Sequence, residues 1–181
     1  MNLMNTSESY GIVSKFFHWV VGITMIGLLA VGLIMKDMPN SPDKFELYGL
    51  HKSTGILIIA FIAMRLIWKF MNLTPELPQT MSPLQKIGSN AAHVFLYISM
   101  VVMPLSGWGM SSAGGYKISF FGLFTVPPIV PKSKMLGGIF HETHELLSKA
   151  LIAVLIIHIL AALLHHFWYK DGILKRMTWG K

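Results

Sequence analysis

Cysteine is absent from the sequence. Its absence excludes a disulfide, a thiol nucleophile, a cysteine-ligated iron–sulfur cluster and a covalently attached c-type haem. Charge is also scarce: 13% of the residues are charged and 53% are hydrophobic, which is more apolar than the surface of a water-soluble domain allows. Negatively charged residues are the rarer kind, with 8 aspartates and glutamates against 15 lysines and arginines. Basic residues beside membrane spans explain this excess, so it does not indicate nucleic-acid binding.

The hydrophobic residues come in four blocks, each about twenty residues long, which is the length that crosses a bilayer as a helix. The predicted spans are residues 14–36, 50–70, 87–111 and 142–169. The connection 112–139 is rich in glycine, proline and aromatic residues, so we expect it to form a lid at the membrane interface. The fold class predicted for residues 1–181 is therefore all-α: a single integral membrane four-helix bundle.

Orientation follows from the lysines and arginines near the ends of the spans, which are enriched on the cytoplasmic side of membrane proteins. One side carries Lys15, Arg65, Lys69, Lys86, Lys170, Lys175, Arg176 and Lys181. The other side carries Lys36, Lys44, Lys52, Lys117, Lys132 and Lys134, together with five carboxylates. This bias predicts that both termini are cytoplasmic.

Histidines are concentrated at the end of the chain, where residues 141–177 hold five of the eight. His144, His158 and His165 are separated by multiples of seven residues. On a helix that turns about 100° per residue they form one slowly drifting stripe. His144 and His158 are roughly 21 Å apart along the helix axis. Because an ionisable residue inside a span is costly and by default marks a pathway or ligand site, the stripe predicts a two-site cofactor channel.

Depth in the membrane suggests a partner for each of these two histidines. His51 and His144 both begin a span on the outer side, and His18 and His158 lie toward the inner side. Two pairs of facing histidines on bundle helices suit bis-imidazole ligation of two b-type haems. A single buried histidine is a structural residue about as often as it is a ligand. Four histidines that form two pairs at matching depths favour haem ligation. His158 is twelve residues from Lys170 whereas His18 is three from Lys15, so matching the inner pair requires one helix to extend.

Other polar residues near the predicted sites have two readings. His93 fits either a contact with a haem propionate or a hydrogen bond to a backbone carbonyl. Arg65 and Lys69 fit either the place where inner haem propionates emerge or simple markers of the cytoplasmic side. His165 and His166 lie at the inner interface, where a solvated pair is the default.

The segment HETHE invites comparison with a zinc hydrolase. The zincin pattern requires H-E-x-x-H, with two histidines four residues apart. Here His141 and His144 are three apart and Glu145 follows them, so the pattern does not match.

Several stretches resemble the bacterial cytochrome b561 family, four-helix membrane cytochromes with two b haems, and particularly its superoxide oxidase members. They are SKFFHW, LHKSTGILI, AMRL, HVFLY, PLSGW, FFGLFTVPPIV, HELL, IIHILAALLHHF and KDGILKRM. The resemblance implies a location in the bacterial inner membrane and a quinone site near His165 and His166. It also implies four axial haem ligands, which are His18, His51, His144 and His158.

One departure from the family pattern concerns the outer ligand on the last span. The family has one histidine before the glutamate and leucine of that motif, and HETHEL offers two. His144 keeps the fourteen-residue spacing to His158. His141 would lie about 60° off the stripe, so we expect His144 to be the ligand and keep His141 as the alternative.

The expected function is electron transfer across the membrane between a periplasmic donor and quinone. The resemblance suggests superoxide as the donor, which makes a superoxide:quinone oxidoreductase the first hypothesis. The second is a cytochrome b subunit without its own catalysis, which relays electrons between a partner dehydrogenase and quinone. A transporter or a haem-free structural protein is a third, and the sequence shows no inverted repeat to favour it.

Overall fold

The computed structural model describes residues 2–178. Lys181, one of the basic residues used to predict orientation, lies outside them. The elements are α1 (Ile12–Asp37), α2 (Pro42–Phe70), α3 (Pro83–Ala113), β1 (Ile118–Phe120), β2 (Phe124–Val126), α4 (Lys134–Leu164), the π-helix π1 (His165–Tyr169) and α5 (Ile173–Met177). The helices α1, α2, α3 and α4 continued by π1 are each long and apolar enough to cross a membrane. The predicted all-α membrane four-helix fold is confirmed.

Three of the long helices begin at serine caps outside the predicted spans. The side chains of Ser41, Ser82 and Ser133 each accept a hydrogen bond from a backbone N–H of the first turn. These bonds satisfy donors that have no partner within the helix. As a result α2 begins before residue 50, and α4 begins within the stretch predicted as the loop 112–139.

The two strands form a short antiparallel hairpin, here called the hairpin lid, at the end of the bundle that the lysines and arginines predict to be the outer one. Phe120 pairs with Phe124 across it, and Gly122 closes the turn with a φ of 79°, a conformation that glycine adopts without steric cost. The buried Ser53 hydroxyl donates to the Ser119 carbonyl at 2.7 Å and accepts from the Phe121 N–H at 3.2 Å. These bonds fix the hairpin lid to α2 two residues after His51.

The core is a layer of apolar side chains halfway through the bundle, here called the central apolar layer. Each long helix contributes to it. Its buried members are Val21 and Met25 of α1, Ile58 and Ile62 of α2, Met100 and Met103 of α3, and Leu151 of α4. On α4, the layer residue Leu151 lies midway between His144 and His158.

The first turns of α1 and the residues at and after the end of α5 meet at the end of the bundle opposite the hairpin lid. Lys15 Nζ donates to the Thr178 carbonyl at 2.8 Å, and Trp19 Nε1 donates to that of Met177 at 2.8 Å. Arg176 donates to the carbonyl of Glu76 in the α2–α3 loop at 2.5 Å. The two described ends and this loop therefore form one surface, here called the inner end.

Candidate functional site

The outer site consists of His51 on α2 and His144 on α4, whose ring centroids lie 6.5 Å apart. The Nδ1 atom of His144 is 3.1 Å from the carbonyl oxygen of Met103 and 3.0 Å from the Ser106 hydroxyl. A carbonyl only accepts hydrogen bonds, so the proton of the neutral ring lies on Nδ1. The lone pair of Nε2 is then free to bind a metal, as in many metal-ligating histidines.

A glycine makes room for the His144 ring. A Cβ atom at Gly107 would lie 3.1 Å from His144 Cε1, which is tight for two carbon atoms. Any larger side chain at position 107 would displace the imidazole. Gly107 and the hydrogen bonds of Nδ1 together hold the ring in one orientation.

The inner site consists of His18 on α1 and His158 on α4, with ring centroids 6.3 Å apart. His93 on α3 approaches His158 from another side, at a centroid distance of 5.4 Å, and its Nδ1 lies 3.4 Å from the Ser89 hydroxyl. The structure thus brings together the two pairs of histidines predicted by depth, and adds His93 to the inner one. It places the pairs on opposite sides of the central apolar layer.

The geometry of the pairs fits a haem iron. A metal–imidazole bond is about 2 Å long, so two rings on opposite sides of one metal have centroids roughly 6 Å apart. Both pairs match this separation. Haem needs only two protein ligands, and within residues 2–178 no group of three or more histidine, aspartate or glutamate side chains could hold a bare metal ion.

Two positive side chains without an ion-pair partner among residues 2–178 lie beside the inner pair. Arg65 Nη2 is 3.4 Å from His18 Nδ1, and its buried Nε has no partner in the described part of the chain. The Arg65 guanidinium and Lys69 Nζ lie 5.6 Å and 5.1 Å from the centre of the Tyr97 ring. Burial raises the pKa of nearby Tyr10, so this phenol stays neutral and supplies no negative charge. This surplus of positive charge suits an anionic group such as a haem propionate.

The alternative outer ligand His141 lies away from the outer pair. Its side chain is 60% exposed, and its Nε2 is 3.7 Å from Glu145 Oε2. Glu145 also binds Lys149 at 2.9 Å and Lys36 at 3.5 Å. His141 therefore belongs to a surface ion-pair network.

His165 and His166, predicted as a pair, have different surroundings. His165 is buried, and its Nδ1 lies 2.5 Å from Asp171 Oδ2. His166 packs against Phe167 and lines a surface cavity with Lys170. The sequence reasoning missed Asp171, although it is the only carboxylate after Glu145.

Comparison with known proteins gives consistent matches over the whole length. A family model described as prokaryotic cytochrome b561 matches residues 9–180. Cytochrome b561 homolog 2 of Escherichia coli (strain K12) is 33% identical over 178 residues, which cover 98% of this chain and 95% of that protein. Cytochrome b561 homolog 1 of the same organism is 29% identical over 168 residues, covering 90% and 92%. The probable superoxide oxidase CybB of Yersinia pestis is 26% identical over 170 residues, covering 94% and 96%.

Proposed function

Because the chain belongs to the prokaryotic cytochrome b561 family, whose members bind b-type haem and transfer electrons across a membrane, we propose that it oxidises superoxide on the outer side and reduces quinone at the inner end. The observation that carries the proposal is the presence of two facing histidine pairs on opposite sides of the central apolar layer. The proposed location is the bacterial inner membrane, with both termini cytoplasmic.

The proposal assigns one haem to each pair. His51 and His144 would hold the outer haem, and His18 and His158 the inner one. Bound there, haem supplies reversible one-electron transfer at each level. Arg65 would hold an inner propionate through a charge-assisted hydrogen bond, and the proximity of His93 to His158 supports a role for His93 in the same site.

Superoxide as the donor is supported by the positive charge of the connection between α3 and α4 and of the adjacent Lys52. Residues 111–134 contain three lysines and no carboxylate. Lys52, directly after His51, places its Nζ 5.3 Å from the centre of the Tyr116 ring, and the Lys132 side chain packs over Gly115. A cationic surface raises the local concentration of a small anion and its rate of encounter. The name of the Yersinia pestis relative is consistent with this donor.

Quinone as the acceptor is supported by the position of His165 and His166. His165 lies seven residues beyond His158, or about 10 Å further along the helix, toward the inner end. The overall reaction converts two superoxide ions, one quinone and two protons into two dioxygen molecules and one quinol. Two electrons leave superoxide and two reach quinone, so the reaction balances.

The test uses protein purified in detergent. The haem count and the reduced-minus-oxidised spectrum are measured first, and superoxide is then added with and without a soluble quinone. Two b haems per chain that superoxide reduces and quinone reoxidises would support the proposal. Two haems that ignore superoxide but take electrons from a soluble dehydrogenase would favour the relay-subunit alternative. Absence of haem would contradict both.

A further inference from the structure

His165 and Asp171 form a buried hydrogen-bonded pair where the last membrane helix ends. The side chains are only 11% and 7% exposed. A carboxylate accepts hydrogen bonds, so the imidazole donates through Nδ1 to Asp171 Oδ2, and Nε2 is left to exchange a proton elsewhere. The other carboxylate oxygen, Oδ1, accepts from the Ile173 N–H at 3.2 Å. In the His165 ring, Nδ1 is therefore held by Asp171 and Nε2 is available to give or take a proton.

Stability alone is a weak reason for such a pair. The cost of removing a carboxylate and its partner from water offsets most of the attraction between them. The backbone here is also unusual: His165 begins the π-helix π1, and Lys170 follows it with a φ of 53°. Single π-turns within α-helices occur frequently at functional sites. The irregular backbone and the buried His165–Asp171 pair together indicate a functional site at this turn.

A surface cavity opens at the same turn on the inner end. This cavity has a volume of about 290 Å³ and is lined by residues close in sequence to His165 and Asp171. They are His166, Phe167, Lys170, Gly172 and Lys175. The polar side chains and the position of the cavity favour water inside it. The cavity thus offers a source of protons beside the buried pair.

Few other titratable or charged groups lie on the elements that pack against π1. The α4 stretch 150–164 contributes only His158, and α5 contributes Lys175 and Arg176. Within π1, the Tyr169 ring lies 5.0 Å from the His165 ring. Asp171 is therefore the only carboxylate among these groups. It is the natural partner for a positive charge that appears on His165.

We propose that the His165–Asp171 pair carries protons from this cavity to the quinone, an inference that rests on the proposed function. His165 Nε2–H gives its proton to a quinone oxygen while Nδ1–H stays bonded to Asp171, and Nε2 then takes a new proton from water. Quinone needs two electrons and two protons to become quinol, so the pair works twice per quinol. Asp171 is a positioning residue, because it orients the ring and stabilises its charged form.

The test compares Asp171→Asn, which removes the charge, with wild type and with Glu76→Gln, which removes an exposed carboxylate at the same end. Reoxidation of pre-reduced haem by a soluble quinone is followed between pH 6 and 8. We expect Asp171→Asn to keep both haems and to be reoxidised at least tenfold more slowly, with a deficit that grows as pH rises. Added imidazole should restore its rate and leave wild type and Glu76→Gln unchanged. Reoxidation by ferricyanide, which takes no proton, should be equal in all three.

The possible results distinguish a failure of the proposed function from a failure of the proton role of His165 and Asp171. If quinone fails to reoxidise wild type, the proposed function fails and this inference fails with it. If quinone reoxidises wild type and Asp171→Asn at the same rate, only the proton role is wrong. A slow variant with unchanged pH dependence and no response to imidazole also overturns it, because the pair is then merely structural. If Asp171→Asn loses haem, His165→Gln replaces it, since its amide can donate a hydrogen bond to Asp171 but cannot release a proton to quinone near neutral pH. Quinone should then reoxidise this variant at least tenfold more slowly than wild type at every pH, whereas ferricyanide should reoxidise both at the same rate.

Discussion

The Nδ1 atom of His144 lies 3.1 Å from the carbonyl oxygen of Met103, so a residue of the central apolar layer sets the orientation of an outer-site imidazole. Met103 can offer this carbonyl because a carbonyl oxygen has two lone pairs and can accept a side-chain hydrogen bond in addition to one within the helix. The Ser106 hydroxyl bonds the same carbonyl at 2.8 Å. The core of the bundle and the outer site are therefore one structural unit.

Removing one outer histidine should remove one haem. His144→Ala and His51→Ala are each expected to lower the haem content from two to about one per chain, because a haem that loses an axial ligand within a membrane protein binds weakly. The pyridine haemochrome assay measures this count. His141→Ala is the matched control, since His141 is exposed and contacts Glu145, and it should retain two haems. If His144→Ala kept two haems and His141→Ala kept only one, His141 and not His144 would be the outer ligand on α4.

Gly107 gives a steric test of the same site. Gly107→Leu is expected to lose the outer haem, because even a Cβ atom there approaches His144 Cε1 at 3.1 Å. Helix propensity works in the opposite direction, since leucine stabilises a helix by roughly 0.5–1 kcal/mol relative to glycine. The control is Gly88→Leu in the same helix, where a Cβ atom meets nothing within 4 Å. Equal haem content in the two variants would show that the ring tolerates displacement.

The fold and the pairing could be anticipated because they depend on simple periodicities. Twenty-residue apolar blocks require spanning helices, and seven-residue steps place His144 and His158 on one stripe. The expected mismatch in depth between His18 and His158 is accommodated, since their rings face each other at 6.3 Å. Here α1 begins at Ile12 and α4 continues into π1.

Other features depended on tertiary contacts that the pattern does not encode. The partnership of His165 with Asp171 requires a π-turn and a residue in the left-handed conformation, and hydrophobic spacing predicts neither. The early start of α4 depends on the Ser133 cap. The bond from His144 to Met103 joins two helices and has no sequence pattern at all.

Arg65 should raise the reduction potential of the inner haem. A positive charge favours the reduced form, so Arg65→Gln is expected to lower that potential. A unit charge about 10 Å away contributes roughly 1.7 kcal/mol at an effective dielectric constant of about 20, which corresponds to roughly 70 mV for one electron. Potentiometric titration of the two haems measures the shift. Arg65→Lys keeps the charge and should restore most of the potential, whereas an equal fall in both variants would assign the effect to lost hydrogen bonds.

Lys52 should accelerate the encounter with superoxide. Its Nζ lies over the Tyr116 ring, next to the outer site, and the hairpin lid beside it carries no carboxylate. Lys52→Gln is therefore expected to slow haem reduction by superoxide several-fold at low ionic strength. The difference should shrink as salt rises, because the Debye length falls from about 30 Å at 0.01 M to about 3 Å at 1 M. Stopped-flow reduction under pulsed superoxide measures both effects.

The control for Lys52 is the same substitution at the opposite end of the bundle. Lys86 lies in the first turn of α3 at the inner end, far from the site where superoxide would arrive. Superoxide should therefore reduce the haem of Lys86→Gln at the wild-type rate at every salt concentration. Haem content and the rate of reduction by uncharged donors should be the same in both variants. If Lys52→Gln and Lys86→Gln react equally fast at low ionic strength, charge beside the outer site does not guide the substrate, and a neutral or protein donor becomes the better explanation.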